Sequence, residues 1–71
     1  MTATDVRAIV AELADAPPSD DAPLELDSLT LVQLVEALED RFAIRVAPRD
    51  VVPANFGSIA AICAYVASRR A

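Results

Sequence analysis

Apolar residues recur along the chain in three stripes with helical spacing. Val6, Ile9, Val10 and Leu13 fall at i, i+3, i+4 and i+7, which puts them on one face of a first helix. Thr4 is a capping residue type at its start, and Asp5 suits the positive end of the helix dipole. Pro17 and Pro18 end that helix. Leu31, Leu34, Val35, Leu38 and Phe42 form the second stripe and predict a helix from about Ser28 to Phe42. Ile59, Ile62, Cys63 and Val66 form the third. Ser58 precedes it as a cap, and Arg69 and Arg70 fall at its negative end.

The segments between the stripes are read differently. Residues 16–27, with Pro17, Pro18, Pro23 and Ser19-Asp20-Asp21, predict a long loop in which Leu24 and Leu26 turn inward. Ile44 and Val46 alternate around Arg45, which is too short a pattern for a strand. Pro48 to Val52 predict one short helical turn, stopped by Pro53. The expected fold is all-α: a small four-helix bundle, three main helices plus a short third helix, with a long loop between helices one and two.

Composition narrows the function. The chain has 71 residues, read as a single domain over 1–71. Its net charge of −5 argues against nucleic acid, whose phosphates call for Lys and Arg, and favours partners with basic surfaces. No apolar run approaches a membrane span, and no secretory signal opens the chain, so a cytoplasmic monomer is expected. Cys63 is the one cysteine and His is absent, which excludes an internal disulfide and a Cys/His zinc site. Cys63, Phe42, Phe56 and the Tyr65 ring are expected in the core. With no His or Lys to act as a base, Ser28 has no activating partner for nucleophilic catalysis, and the chain is not read as an enzyme.

The candidate site is Asp27-Ser28-Leu29, where the long loop meets the second helix. A helix N-terminus offers unpaired N–H groups and partial positive charge, both favourable to a phosphodiester on a serine there. Taken alone, the dipeptide Asp27-Ser28 reads first as a helix cap, since Asp and Ser are both favoured capping residues. The surrounding text adds to it: Val32, Leu34-Val35, Ala37-Leu38-Glu39, Asp40 and Phe42, then Ile44, Val46 and Asp50, then Phe56, Ser58-Ile59, Ile62 and Tyr65-Val66.

This ordered set resembles the acyl and peptidyl carrier protein family. The resemblance implies that Ser28 receives 4′-phosphopantetheine from coenzyme A through a phosphopantetheinyl transferase, within the Asp27-Ser28-Leu29 motif. It also implies that the arm's thiol carries acyl, aminoacyl or peptidyl cargo. Expected partners are adenylating, acyltransferase, ketosynthase or condensation enzymes with basic docking patches. Phe56-Gly57-Ser58-Ile59 looks like carriers of polyketide or nonribosomal peptide biosynthesis. A fatty-acid-type carrier and an unmodified helical interaction module are the alternatives. Two positions depart from the family pattern: Glu25 where many carriers have Gly, and Gln33 where many fatty-acid carriers have an acid. Met1 and Ala71 bound a chain that reads as a discrete carrier acting in trans.

Seven of the eleven acids lie between Asp20 and Asp40. Leu29, Val32, Glu36 and Glu39 lie off the core stripe of the second helix, with Asp40 beside them. They predict an exposed docking strip, apolar near Ser28 and acidic further along. Arg41, Arg45 and Arg49, at or beyond the end of that helix, read either as complements to its C-terminus or as contacts for a partner, and their spacing does not decide between the two.

Overall fold

A computed structural model describes residues 2–70 and contains four α-helices and one 3-10 turn. The helices are α1 (Thr2–Leu13), α2 (Ser28–Phe42), α3 (Pro53–Phe56) and α4 (Ile59–Arg70), and the 3-10 turn is Pro48–Asp50. No strand occurs among the described residues, and none of their helices is long and apolar enough to cross a membrane. The two chain ends expected to bound the domain, Met1 and Ala71, lie outside the described residues.

The three stripes converge on one core. Val6 and Val10 of α1, Leu34 and Leu38 of α2, and Ile59, Ile62 and Val66 of α4 are almost wholly buried. Each such side chain contributes about 1.5–3 kcal/mol over leaving it in water. Phe56 and Tyr65 add a tilted ring pair with centroids 5.4 Å apart. Phe42 is only half-buried, with the Arg70 guanidinium over its ring. Cys63 is also half-buried, and partial burial pushes its thiol pKa upward, away from a reactive thiolate.

Three boundaries differ from the sequence expectation. α1 already includes Thr2, so Thr4 lies inside its first turn and is not the cap. Its helical residues stop at Leu13, short of Pro17, which keeps the helix from resuming. Pro53 opens α3 as its first residue and does not merely stop the preceding turn; an N1 proline forfeits no helical hydrogen bond. The Ser58 cap is present, with Oγ accepting from the Ala61 N–H at 3.1 Å.

The long loop is tied down. Ala60 N–H donates to the Asp20 carbonyl at 2.9 Å, and Leu24 N–H to the Gly57 carbonyl at 2.8 Å. Arg7 Nε contacts Asp20 Oδ1 at 2.9 Å from α1. Leu24 and Leu26 pack against the core between these ties. The loop therefore reaches α2 from a fixed direction, and this sets the position of Asp27 and Ser28.

Candidate functional site

The start of α2 divides two tasks between adjacent residues. Asp27 has extended backbone and accepts the Thr30 N–H on Oδ1 at 2.7 Å. Its carbonyl takes the Leu31 N–H at 2.9 Å, the first bond of the helix. Asp27 is thus the N-cap. The hydrogen bond from Thr30 holds its carboxylate pKa below the ordinary value. Ser28, the first helical residue, is exposed, and its hydroxyl has no hydrogen-bond partner among the described residues. With the Thr30 and Leu31 amides engaged by Asp27, those of Ser28 and Leu29 stay open by position in the first turn. A phosphate on Ser28 Oγ would lie against these donors at the positive end of a helix of 15 residues.

Beside Ser28 runs a mostly apolar groove of about 350 Å³. One wall is α2, through Leu31, Val32, Val35 and Glu36, and the other is Val46, Pro48 and Val51 from the connection to α3. A larger depression, about 490 Å³, lies behind the long loop between Ala14–Pro18 and Pro23–Leu26 and does not reach Ser28. The smaller groove reaches the serine.

Leu29 and Val32 are 68% and 56% exposed, an uncommon degree for large apolar side chains one helical turn apart. Glu36 and Asp40 continue the same side in solvent. Glu39 departs from the expected strip. It is half-buried, and Oε2 accepts the Val46 N–H at 3.0 Å, so it holds the returning chain against α2. Val52, 41% exposed on the far side of the groove, is a third apolar surface residue that the helical stripes did not single out.

The far wall has its own support. Tyr65 donates its hydroxyl to Asp50 Oδ2 at 2.9 Å, and Asn55 Nδ2 donates to the Asp50 carbonyl at 2.8 Å. Burial, ahead of the Asp50 contact, pushes the Tyr65 hydroxyl pKa up. Pro48 and Val51 flank this clamp. Sequence spacing gave no hint of Asp50 in that role, because its partners come from α3 and α4.

Ser28 therefore opens α2 exposed, its hydroxyl without a partner among the described residues, beside a mostly apolar groove. Residues 4–66 match the family described as the phosphopantetheine attachment site, and the chain belongs to that family. It is a carrier protein, and its cofactor is covalent 4′-phosphopantetheine. It is 41% identical over 66 residues to the 4-methyl-3-hydroxyanthranilic acid carrier protein of Streptomyces anulatus, spanning 87% of this chain and 85% of the relative. No solved structure matches the chain.

Proposed function

We propose that Ser28 carries the 4′-phosphopantetheine arm and that the cargo is an aromatic acid held as a thioester. In this reading the protein works in polyketide, nonribosomal peptide or related secondary-metabolite biosynthesis. It acts as a monomeric single domain in the cytoplasm, where coenzyme A is available, and catalyses no turnover itself. Attachment forms a bond from Ser28 Oγ to the phosphorus and breaks the pyrophosphate link of coenzyme A. Adenosine 3′,5′-bisphosphate leaves, and the transferase takes the hydroxyl proton.

One observation carries the assignment to Ser28: Asp27 does the capping, so the neighbouring hydroxyl is left exposed and without a partner among the described residues. The cargo class rests on the relative, whose name assigns it a substituted hydroxyanthranilic acid. The bound arm supplies a thiol for acylation. Around it, the open amides of Ser28 and Leu29 bind phosphate oxygens, and the groove of Leu31, Val32, Val35, Val46, Pro48 and Val51 shelters the arm's apolar parts.

Leu29 and Val32 provide the apolar contact that sets register on partner enzymes, while Glu36 and Asp40 steer encounter with basic patches. Glu39 contributes charge to that field but acts first in the fold. The test is loading. Holo-protein incubated with ATP and an arylate-adenylating enzyme should gain the mass of one aromatic acyl group. Charging only by aliphatic acids or α-amino acids would overturn the cargo assignment, leaving the carrier assignment intact.

A further inference from the structure

The groove beside Ser28 carries one charge in an otherwise apolar lining. Ser28, Val32 and Glu36 stand at i, i+4 and i+8 on α2, one above another along the same wall. At 1.5 Å per residue, Glu36 lies about 12 Å from Ser28 along the helix. Between them both sides are apolar: Leu31, Val32 and Val35 face Val46, Pro48 and Val51. Among the described residues that line this groove, Glu36 is the charged one.

Glu36 has no task in the fold. It is exposed, and its carboxylate has no hydrogen bond or ion pair among the described residues. Its neighbours are placed differently. Glu39 is engaged by the Val46 amide at 3.0 Å. Asp40 lines a separate, more polar depression with Glu39, Ile44 and Arg45, which Glu36 also borders. Arg45 is exposed there and pairs with no carboxylate among the described residues. Glu36 thus closes the far end of the apolar groove, where it opens toward charge. The opposite wall is already fixed. Glu39 holds Val46, the Val51 N–H donates to the Pro48 carbonyl at 3.2 Å, and Asp50 between them takes the Tyr65 hydroxyl at 2.9 Å. A preformed apolar groove with a single polar group orients a small ligand, and its volume of about 350 Å³ falls at the low end of the roughly 300–1,000 Å³ of small-molecule sites.

We propose that Glu36 is a specificity-determining residue for the cargo: its carboxylate accepts a hydrogen bond from a hydroxyl or amino group on an aromatic ring that lies against the groove walls. The inference rests on the carrier reading above and narrows its aromatic acid to one whose ring bears a donor. Ser28 lines the groove, so a ring tethered there is held close to it. The apolar walls suit the faces of the ring, and the donor meets the carboxylate at its edge. An aliphatic chain fills the same walls but takes water from Glu36 and returns no hydrogen bond. A ring bearing a carboxylate is repelled by Glu36, with Glu39 and Asp40 beside it.

The test uses loaded carrier free of partner enzymes, so any docking through Glu36 stays out of the readout. A broad-specificity phosphopantetheinyl transferase is supplied with benzoyl-, meta-hydroxybenzoyl- or meta-aminobenzoyl-coenzyme A, which places the loaded arm directly. Cleavage of each thioester by hydroxylamine is followed by intact mass and divided by the rate for the same thioester on free pantetheine. On wild type, the hydroxyl and amino cargoes should be cleaved about threefold more slowly than benzoyl. Glu36→Ala should bring all three to the benzoyl rate. Glu36→Gln, which keeps an acceptor oxygen, should retain part of the difference. The backbone amide resonances of Val46 and Val51 should shift when any of the three is loaded. Equal rates on wild type, or a difference that survives Glu36→Ala, overturns the role of Glu36, and the comparison between cargoes cancels any general effect on stability. Unmoved Val46 and Val51 amides overturn the groove as the place of the ring. A wild-type chain that takes no arm from coenzyme A or its thioesters overturns the carrier reading itself, whereas one that is acylated without donor preference overturns Glu36 alone.

Discussion

Glu39 and Glu36 lie one turn apart on α2, and the structure gives them different work, so they should respond differently to the same substitution. In Glu39→Ala the Val46 amide loses the carboxylate it reaches at 3.0 Å. Val46 is only 9% exposed, so water replaces that acceptor poorly. Losing a charged acceptor and stranding a mostly buried N–H costs about 1–3 kcal/mol. In a domain this small each kcal/mol moves the melting midpoint by roughly 4–8 °C, so a fall of at least about 4 °C is expected. Glu36 is exposed and its carboxylate makes no hydrogen bond among the described residues. Glu36→Ala should change stability by less than about 0.5 kcal/mol, and it also relieves the like charge of Asp40 at i+4. Glu39→Gln, which keeps an acceptor oxygen, should recover more than half the loss. Thermal and urea unfolding followed by circular dichroism measures all three, and loading rates on the folded variants separate docking from stability. Matching midpoints for Glu39→Ala and Glu36→Ala would refute the assignment of Glu39 to the fold.

Other outcomes follow from single contacts. Gly57→Ala places a Cβ 2.5 Å from the Pro53 carbonyl oxygen, inside contact distance, so α3 must shift and loosen the Leu24 tie; a loss of about 1–3 kcal/mol in urea unfolding is expected. Tyr65→Phe removes the bond to Asp50 and should cost about 1–2 kcal/mol, with faster amide exchange at Val51 and Val52. Asp27 is held below its ordinary pKa of 3.8, so its carboxylate contributes stability that is fully present above that value and is lost as pH falls through the lower folded pKa. Asp27→Asn keeps a capping oxygen and should differ from wild type least at the most acidic pH, by urea midpoints at neutral and acid pH.

Much of this arrangement is legible in the sequence because helices write local periodicity. The α2 stripe, the Asp27-Ser28 boundary and the Ser58 cap all depend on partners within four residues. What escaped depends on chain reversal. Glu39 binds an amide seven residues on, after the chain turns at Ala43, whose left-handed φ of 53° is a conformation more usual for glycine. With no glycine following Phe42, the sequence carries no signal for that turn. Pro53 was ambiguous for a related reason, since a proline both ends one turn and begins another. At the site, the pattern could not say which of Asp27 and Ser28 caps the helix, because both residue types do so; only the side-chain geometry separates them.

The chain holds four serines, Ser19, Ser28, Ser58 and Ser68, so the decisive measurement localises the arm. After reaction with coenzyme A and a broad-specificity phosphopantetheinyl transferase, fragmentation of the digested protein should place one phosphopantetheine on the peptide containing Ser28, and Ser28→Ala should stay unmodified. An arm found on another serine, or gained in full by Ser28→Ala, would contradict the account.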